Sequence, residues 1–277
     1  MDDGPAPLPA PSARALLVTV LGELVYPYEG PVWTAALIEV MRGLGVEEHA
    51  ARQAIARGSA AGWIEAERHG RSARWTLADR GRRLIEDGMR RSAAFVEEPE
   101  PWDGRWLVLL VTVPQQQRAM RKRLYGALTW MGLGNPTPGV WLSPHAEAVD
   151  EARETVAELG LEASTLSFVG PVAGIGLSED EIVRSAWDLE ELGARYRALI
   201  DRYGDVDPAP GDEMLFTHIE LLNALQRFLR LDPRLPVALL PDWVGREGGE
   251  LFRSRRAAWS APARARFREI AEAAGPG

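Results

Sequence analysis

The chain has no cysteine at any of its 277 positions, which excludes disulfides, thiolate nucleophiles and thiolate-held metals. It is nearly without lysine, since Lys122 is the single one among 32 basic residues. Positive charge is therefore carried by arginine, and in a chain so rich in arginine and alanine one Arg is weaker evidence of a bidentate contact than elsewhere. Histidine is sparse too. His49, His69, His145 and His218 show no HExxH or paired spacing, so zinc and nucleophilic chemistry lack their usual arrangement. The glycines at Gly170, Gly174 and Gly176 do not form a GxGxxG fingerprint, and GxxxxGK[ST] is missing, which removes support for nucleotide hydrolysis. No apolar run approaches the ~20 residues that span a bilayer. The opening MDDGPAPLPAPSA is acidic and proline-rich, without the basic segment and apolar core of a secretory signal. A cytoplasmic protein with a flexible tail at 1–11 is expected.

What remains is an ordinary globular composition, 46% hydrophobic and 26% charged, long enough for two or three domains. Net charge is −8, yet from His49 to Arg83 eight arginines face only Glu65, Glu67 and Asp79. A basic island on an acidic body is the electrostatic footprint of a nucleic-acid module.

Within the island, Glu47 and Glu48 suit a helix N-terminus and Gly62 ends the helix. Ala50, Ala51, Ala54 and Ile55 form its inner side, while Arg52, Gln53, Ala56, Arg57 and Ala60 share the other. Such a face can enter a major groove, where Arg reads guanine and Gln reads adenine, or it can be a plain solvated face. Two strands follow, Trp63–Glu67 and Ala73–Leu77, around a turn at Gly70. With a first helix capped by Ser12 and ended by Pro27, a second near 31–43 and a fourth from Asp79 to about Phe95, residues 12–96 read as a winged helix-turn-helix. In the fourth helix Leu84, Ile85 and Met89 are expected inside. Base-edge contacts fall to Arg52, Gln53 and Arg57, and wing-to-backbone contacts to Arg68, Arg71 and Arg74.

After an acidic, proline-broken linker at Glu97–Pro101, a buried strand is expected at Trp106–Val113, then a basic amphipathic helix from Gln115 to Met131. Strands near 133–137 and 139–143, a helix from Glu147 to Leu159 and a strand from Ser164 to Val169 complete a ferredoxin-like order over 102–175. Trp106, Trp130 and Trp141 are expected in its core. Residues 178–277 read as a helical domain: Ser178 with Glu181 makes a capping box, an apolar side runs from Ile182 to Gly204, another helix covers Glu213–Leu231, and a last one runs from about Glu247 to Trp259. The fold class is thus α+β, in several domains.

Several segments together resemble the PaaX family of bacterial repressors of phenylacetic acid degradation. They are the Arg52-Gln53 helix, Leu77-Ala78-Asp79-Arg80-Gly81, Trp102-Asp103-Gly104-Arg105-Trp106, Pro138-Gly139-Val140-Trp141-Leu142-Ser143-Pro144, and Asp232-Pro233-Arg234-Leu235-Pro236 running on to Leu239-Leu240-Pro241-Asp242-Trp243-Val244-Gly245. The resemblance implies a winged helix, a central domain similar to the CRISPR-associated Cas2 fold and a helical C-terminal domain. It further implies a homodimer on an inverted-repeat operator in double-stranded DNA, released by phenylacetyl-CoA or another acyl-CoA, with no cofactor. The chain departs from the family at Thr112-Val113-Pro114, where relatives often read Asp-Ile-Pro.

An effector site is expected among Trp187, His218, Trp243, Arg246, Arg253, Arg255 and Arg256, with Trp259 as a further aromatic. From Arg246 to Arg268 seven arginines face only Glu247 and Glu250, a patch suited to CoA phosphates or DNA backbone, or to plain solvation. His218 reads as a core or pocket-edge residue. Two rivals remain: a protein-interaction module using the winged helix without DNA, and a Cas2-like metal nuclease, which would require clustered carboxylates that Thr112 does not help to supply.

Overall fold

The computed structural model describes residues 11–96, 101–114, 116–228 and 231–275. The expected tail at 1–11 and the linker at Glu97–Pro101 fall almost wholly outside that set. By backbone contacts the chain forms two compact units, one from the described residues of Ala6–Val96, Leu199–Gln226 and Gly248–Gly277, the other from those of Glu97–Ala198 and Arg227–Glu247. Residues 178–277, read from sequence as a single helical domain, contribute to both units.

In the first unit, α1 (Ala13–Val20) starts at Ser12, whose Oγ accepts the Ala15 N–H at 3.2 Å. Leu16, Leu17 and Val20 bury its inner side. The helix does not stop before Pro27. It widens into a π turn at Leu21–Val25, passes through α2 (Tyr26–Tyr28) and ends where Glu29 takes φ 56°. A proline ring crowds the carbonyl four residues back and has no N–H to offer it, and a wider turn is one way a helix accommodates both. Here that carbonyl belongs to Glu23.

Strand β1 (Val32–Trp33) leads into α3 (Thr34–Gly43), and Gly45, at φ 76°, turns the chain into α4 (Glu48–Ala60). Strands β2 (Ile64–His69) and β3 (Ser72–Leu77) form a longer hairpin than the sequence suggests, closed by Gly70-Arg71, and α5 (Asp79–Val96) follows. The small antiparallel sheet has the order β1-β3-β2. Of the three apolar residues expected inside α5, all of which border a cavity, Ile85 is buried, while Leu84 and Met89 stay 39% and 42% exposed.

The second unit is built on β4 (Trp106–Val111), α6 (Arg118–Trp130), β5 (Gly134–Thr137), β6 (Val140–Ser143), α7 (Val149–Glu158) and β7 (Thr165–Gly170). The all-antiparallel sheet has the order β5-β6-β4-β7, that of a ferredoxin-like sandwich. Alternation along β4 serves two cores. Leu109 and Val111 join Leu124, Leu128, Trp141 and Val156, while Trp106 faces Ile182, Val183, Leu235 and Leu239 on the opposite side. Trp106 and Trp141 are buried as expected, but Trp130, at the end of α6, is 41% exposed.

Beyond the sheet, α8 (Glu179–Ala186) carries the expected capping box, with Ser178 and Glu181 bonding reciprocally. The expected continuous helix through to Gly204 is broken at Trp187, which is extended and donates its indole N–H to the Gly132 carbonyl at 3.1 Å. Asp188 then caps α9 (Leu189–Tyr203) through the Glu191 N–H. After α10 (Asp212–Phe228) comes α11 (Val244–Ala273), fourteen residues longer than the Trp259 ending expected from sequence and continuous through Pro262. Trp259, Ala263, Phe267, Ile270 and Ala271 are all buried along it, so apolar packing outweighs the bond that Pro262 removes.

Candidate nucleic-acid interface

Helix α4 presents Arg52, Gln53, Ala56, Arg57 and Ala60 outward and buries Ala51, Ala54, Ile55 and Gly58. Among the described residues the polar side chains of this face bond only within the helix itself. Arg52 donates to Glu48 at 2.7 and 2.9 Å, Gln53 meets His49 at 2.8 Å, and Arg57 donates to the Gln53 side chain at 2.9 Å. Exposed pairs at this helical spacing are worth about 0.2–0.5 kcal/mol each, little enough to be exchanged for a better acceptor.

The hairpin is braced against α3. Trp75 donates its indole N–H to Thr34 Oγ1 at 2.8 Å, and Thr34 donates to the Ala73 carbonyl at 3.1 Å. The brace brings the hairpin beside α4, so that Arg52 and Arg71 line one open groove of about 420 Å³ together with Trp33, Ala56 and Ser72. Arg68 and Arg71 are exposed. Arg74 is placed differently from the other wing arginines: it pairs in register with Trp33 across β1 and β3, so both side chains leave the sheet on the same side. Its guanidinium lies 4.3 Å from the Trp33 ring, and its Nε is buried without a hydrogen-bond partner among the described residues. His69 meets Glu67 at 3.0 Å and the Trp33 ring edge-on.

The seven residues expected at an effector site are divided. Trp187, Trp243 and Arg246 belong to the second unit and are occupied there: Trp187 stacks on Trp106, Trp243 donates to Asp232 at 3.3 Å and meets Tyr196 edge-on, and Arg246 donates to the Leu240 and Pro241 carbonyls. Tyr196 donates its hydroxyl to Asp232 at 2.7 Å, and burial together with that carboxylate pushes the phenol well above its ordinary range. His218, Arg253, Arg255 and Arg256 belong to the first unit. Arg253 is exposed and pairs with Glu250, and Arg255 donates to the Gly204 carbonyl.

His218 and Arg256 meet on a residue the sequence reading passed over. Glu23, in the π turn, is 5% exposed and receives Ser260 Oγ at 2.6 Å, Arg264 Nη2 at 2.8 Å, His218 Nε2 at 3.2 Å and Arg256 Nη2 at 3.5 Å. Its backbone carbonyl, left without a proline N–H, accepts Arg264 Nε at 3.1 Å. Burial alone would raise the Glu23 carboxyl, but hydrogen bonds from His218 and Ser260 and the charges of His218 and Arg264 outweigh it and bring it down to about 2. The available sequence signal was Arg256, Ser260 and Arg264 recurring every four residues, one face of a helix. Deeper on the same side, Asn223 donates to Thr19 Oγ1 at 3.1 Å.

Among the described residues no group of three or more His, Asp or Glu side chains is arranged to hold a metal ion, and no helix is long and apolar enough to cross a membrane. Compared with known proteins, the chain matches three family models in order: "PaaX-like protein" at residues 12–81, "PaaX protein central Cas2-like domain" at 99–182 and "PaaX-like protein C-terminal domain" at 187–269. It is 28% identical over 253 residues to the transcriptional repressor PaaX of Escherichia coli strain K12, covering 87% of this chain and 78% of that protein. In fold it is similar to the uncharacterized protein Rv0674 from Mycobacterium tuberculosis, with a TM-score of 0.64 at 20% identity over 94% of this chain and 98% of that one.

Proposed function

The chain belongs to the PaaX-like family, whose members are transcriptional repressors and not enzymes, and from that premise we propose that it represses transcription by binding operator DNA through a winged helix-turn-helix made of α1, α3, α4 and the β2–β3 hairpin. One observation carries the reading. The outward face of α4 combines Arg52, Gln53 and Arg57 with small alanines, and the hairpin brings Arg71 into the same groove as Arg52. Small residues admit the helix to the major groove, Arg and Gln bond base edges there, and wing arginines take phosphate.

In this reading Arg52, Gln53 and Arg57 read bases, while Arg68 and Arg71 hold the backbone. Arg74 serves as the brace between Trp33 and the hairpin. One such domain reads a half-site, so a homodimer on an inverted repeat follows from two-fold geometry. The protein acts in the cytoplasm, where its DNA is. Release by an acyl-CoA, phenylacetyl-CoA first among them, belongs to the same proposal. A ligand achieves release only through unequal affinity for two states, and ~1–3 kcal/mol of coupling changes operator affinity roughly 5–150-fold.

The test is binding of the full chain to the DNA upstream of its own gene, followed by fluorescence anisotropy at several salt concentrations, with and without phenylacetyl-CoA. The expected outcome is specific binding that weakens steeply as salt rises. Arg57→Ala costs ~1–3 kcal/mol on the specific site and relaxes discrimination, whereas Arg68→Ala weakens all sequences alike. Binding that is undetectable or indifferent to salt would refute the DNA reading, and specific binding unchanged by any acyl-CoA would remove the effector.

A further inference from the structure

Beside the Glu23 cluster lies a cavity of about 210 Å³, bounded by α1 and its π turn, α5, α10 and α11, all within the first unit. Its walls are mostly apolar, among them Ile85, Met89, Leu222, Leu225 and Phe252. Polar chemistry enters chiefly where Arg256 and Arg264 stand over Glu23. Two guanidiniums there share one carboxylate, which leaves one positive charge in excess with His218 neutral and two with it protonated. Arg264 spends both its Nε and an Nη on Glu23, but Arg256 reaches that carboxylate once, at 3.5 Å, and makes no other polar contact among the described residues. Leu84 and Met89, meanwhile, leave exposed apolar surface at the cavity's rim among the described residues.

An underused guanidinium at the edge of an apolar cavity selects for a ligand with one charged end. We propose that this cavity binds a small organic monoanion, a carboxylate on a compact apolar body, with Arg256 taking the carboxylate and Ile85, Met89, Leu225 and Phe252 enclosing the body. A planar guanidinium matches a carboxylate through two parallel hydrogen bonds, and a dry wall raises their value. Inorganic anions gain nothing from the apolar surface. A CoA thioester has no free carboxylate and far exceeds a space already smaller than the ~300–1,000 Å³ of a drug-sized site. The binding site stands on its own geometry. An effect on DNA rests in addition on the repressor reading, since α1 and α5 wall the cavity on one side and α10 and α11 on the other.

The full chain is titrated calorimetrically with benzoate, phenylacetate and hexanoate, and with phenylacetamide as the neutral counterpart of phenylacetate. At least one carboxylate binds with one site per chain. Phenylacetamide, and Arg256→Gln with the same carboxylate, each weaken binding tenfold or more. Met89→Trp, which fills the cavity mouth, abolishes it, and Arg184→Gln, exposed on α8 and outside the cavity lining, leaves it unchanged; circular dichroism verifies that each variant is folded. Absence of binding by all three acids overturns the site, as does equal affinity for phenylacetate and phenylacetamide, an unaffected Arg256→Gln protein, or displacement of the bound acid by phenylacetyl-CoA. Operator anisotropy is read separately on the same samples. Carboxylate binding without DNA binding overturns the repressor reading alone, so the two failures are distinguishable.

Discussion

Glu23 is a carboxylate held ionised in the protein interior, and its folded value of about 2 lies below the ordinary 4.5. A group depressed on folding stabilises the fold at pH values above its unfolded pKa and loses that contribution as pH falls through the folded one. Stability worth up to about 3 kcal/mol should therefore disappear between pH 4.5 and 2. Glu23→Gln is expected to cost about 2–3 kcal/mol at pH 7, below the buried-pair range because Arg256 and Arg264 are about a third exposed. Urea midpoints of both proteins measured from pH 7 to 2.5 should converge at the acid end; a constant gap would show that the charge of Glu23 is immaterial. Arg74→Ala should likewise lower stability by about 1 kcal/mol through loss of its contact with Trp33. A salt slope of DNA binding reduced as much by Arg74→Ala as by Arg68→Ala would return Arg74 to the phosphate contacts. At this scale the sequence made the α4 face legible, because outward and inward positions follow helical period. It concealed Glu23, since the carboxylate and its partners stand more than 190 residues apart.

Elements were legible where a local signal decided them. The capping box at Ser178 and Glu181 and the turn at Gly70 depend on neighbours within three or four residues, and the structure retains both. Where a distant partner decided, periodicity misled: Trp187 breaks a promising helix to reach Gly132, and α11 runs through Pro262 to keep Phe267 and Ile270 buried. Two glycines of α5 separate these cases experimentally. A Cβ at Gly81 would come within 2.0 Å of the Trp63 carbonyl oxygen, which already accepts the Ala78 N–H, so the start of α5 is pressed against the turn between α4 and β2. Gly81→Ala should destabilise by ~1–3 kcal/mol. Gly88 has nothing within 4 Å, and Gly88→Ala should stabilise by ~0.5–1 kcal/mol, as expected for a helix interior. Thermal midpoints that moved in the same direction for both would contradict this placement of α5.

At the scale of the whole molecule, charge is arranged against the average. A chain of net charge −8 sets eight arginines against three acids between His49 and Arg83, which under the proposed function draws DNA to α4 and the hairpin. Arg68→Ala and Arg71→Ala should each reduce the slope of log affinity against log salt by ~1, with the double variant near the sum. Slopes unchanged in both would remove the hairpin from the phosphate contacts. The division into two units was the least legible feature, because segments far apart in sequence, 199–226 and 248–277, complete the unit that begins with α1.

The carbonyl that Pro27 leaves unserved and Arg264 satisfies bears on how such regulators can be recombined. The N-terminal segment is not a cassette: cut away after residue 96, it would leave an interior oxygen and an interior carboxylate bare. A chimaera that exchanges heads between two relatives should fold only when the donor's counterparts of Ser260 and Arg264 travel with it, and descent within the family should have moved those distant segments as one heritable piece.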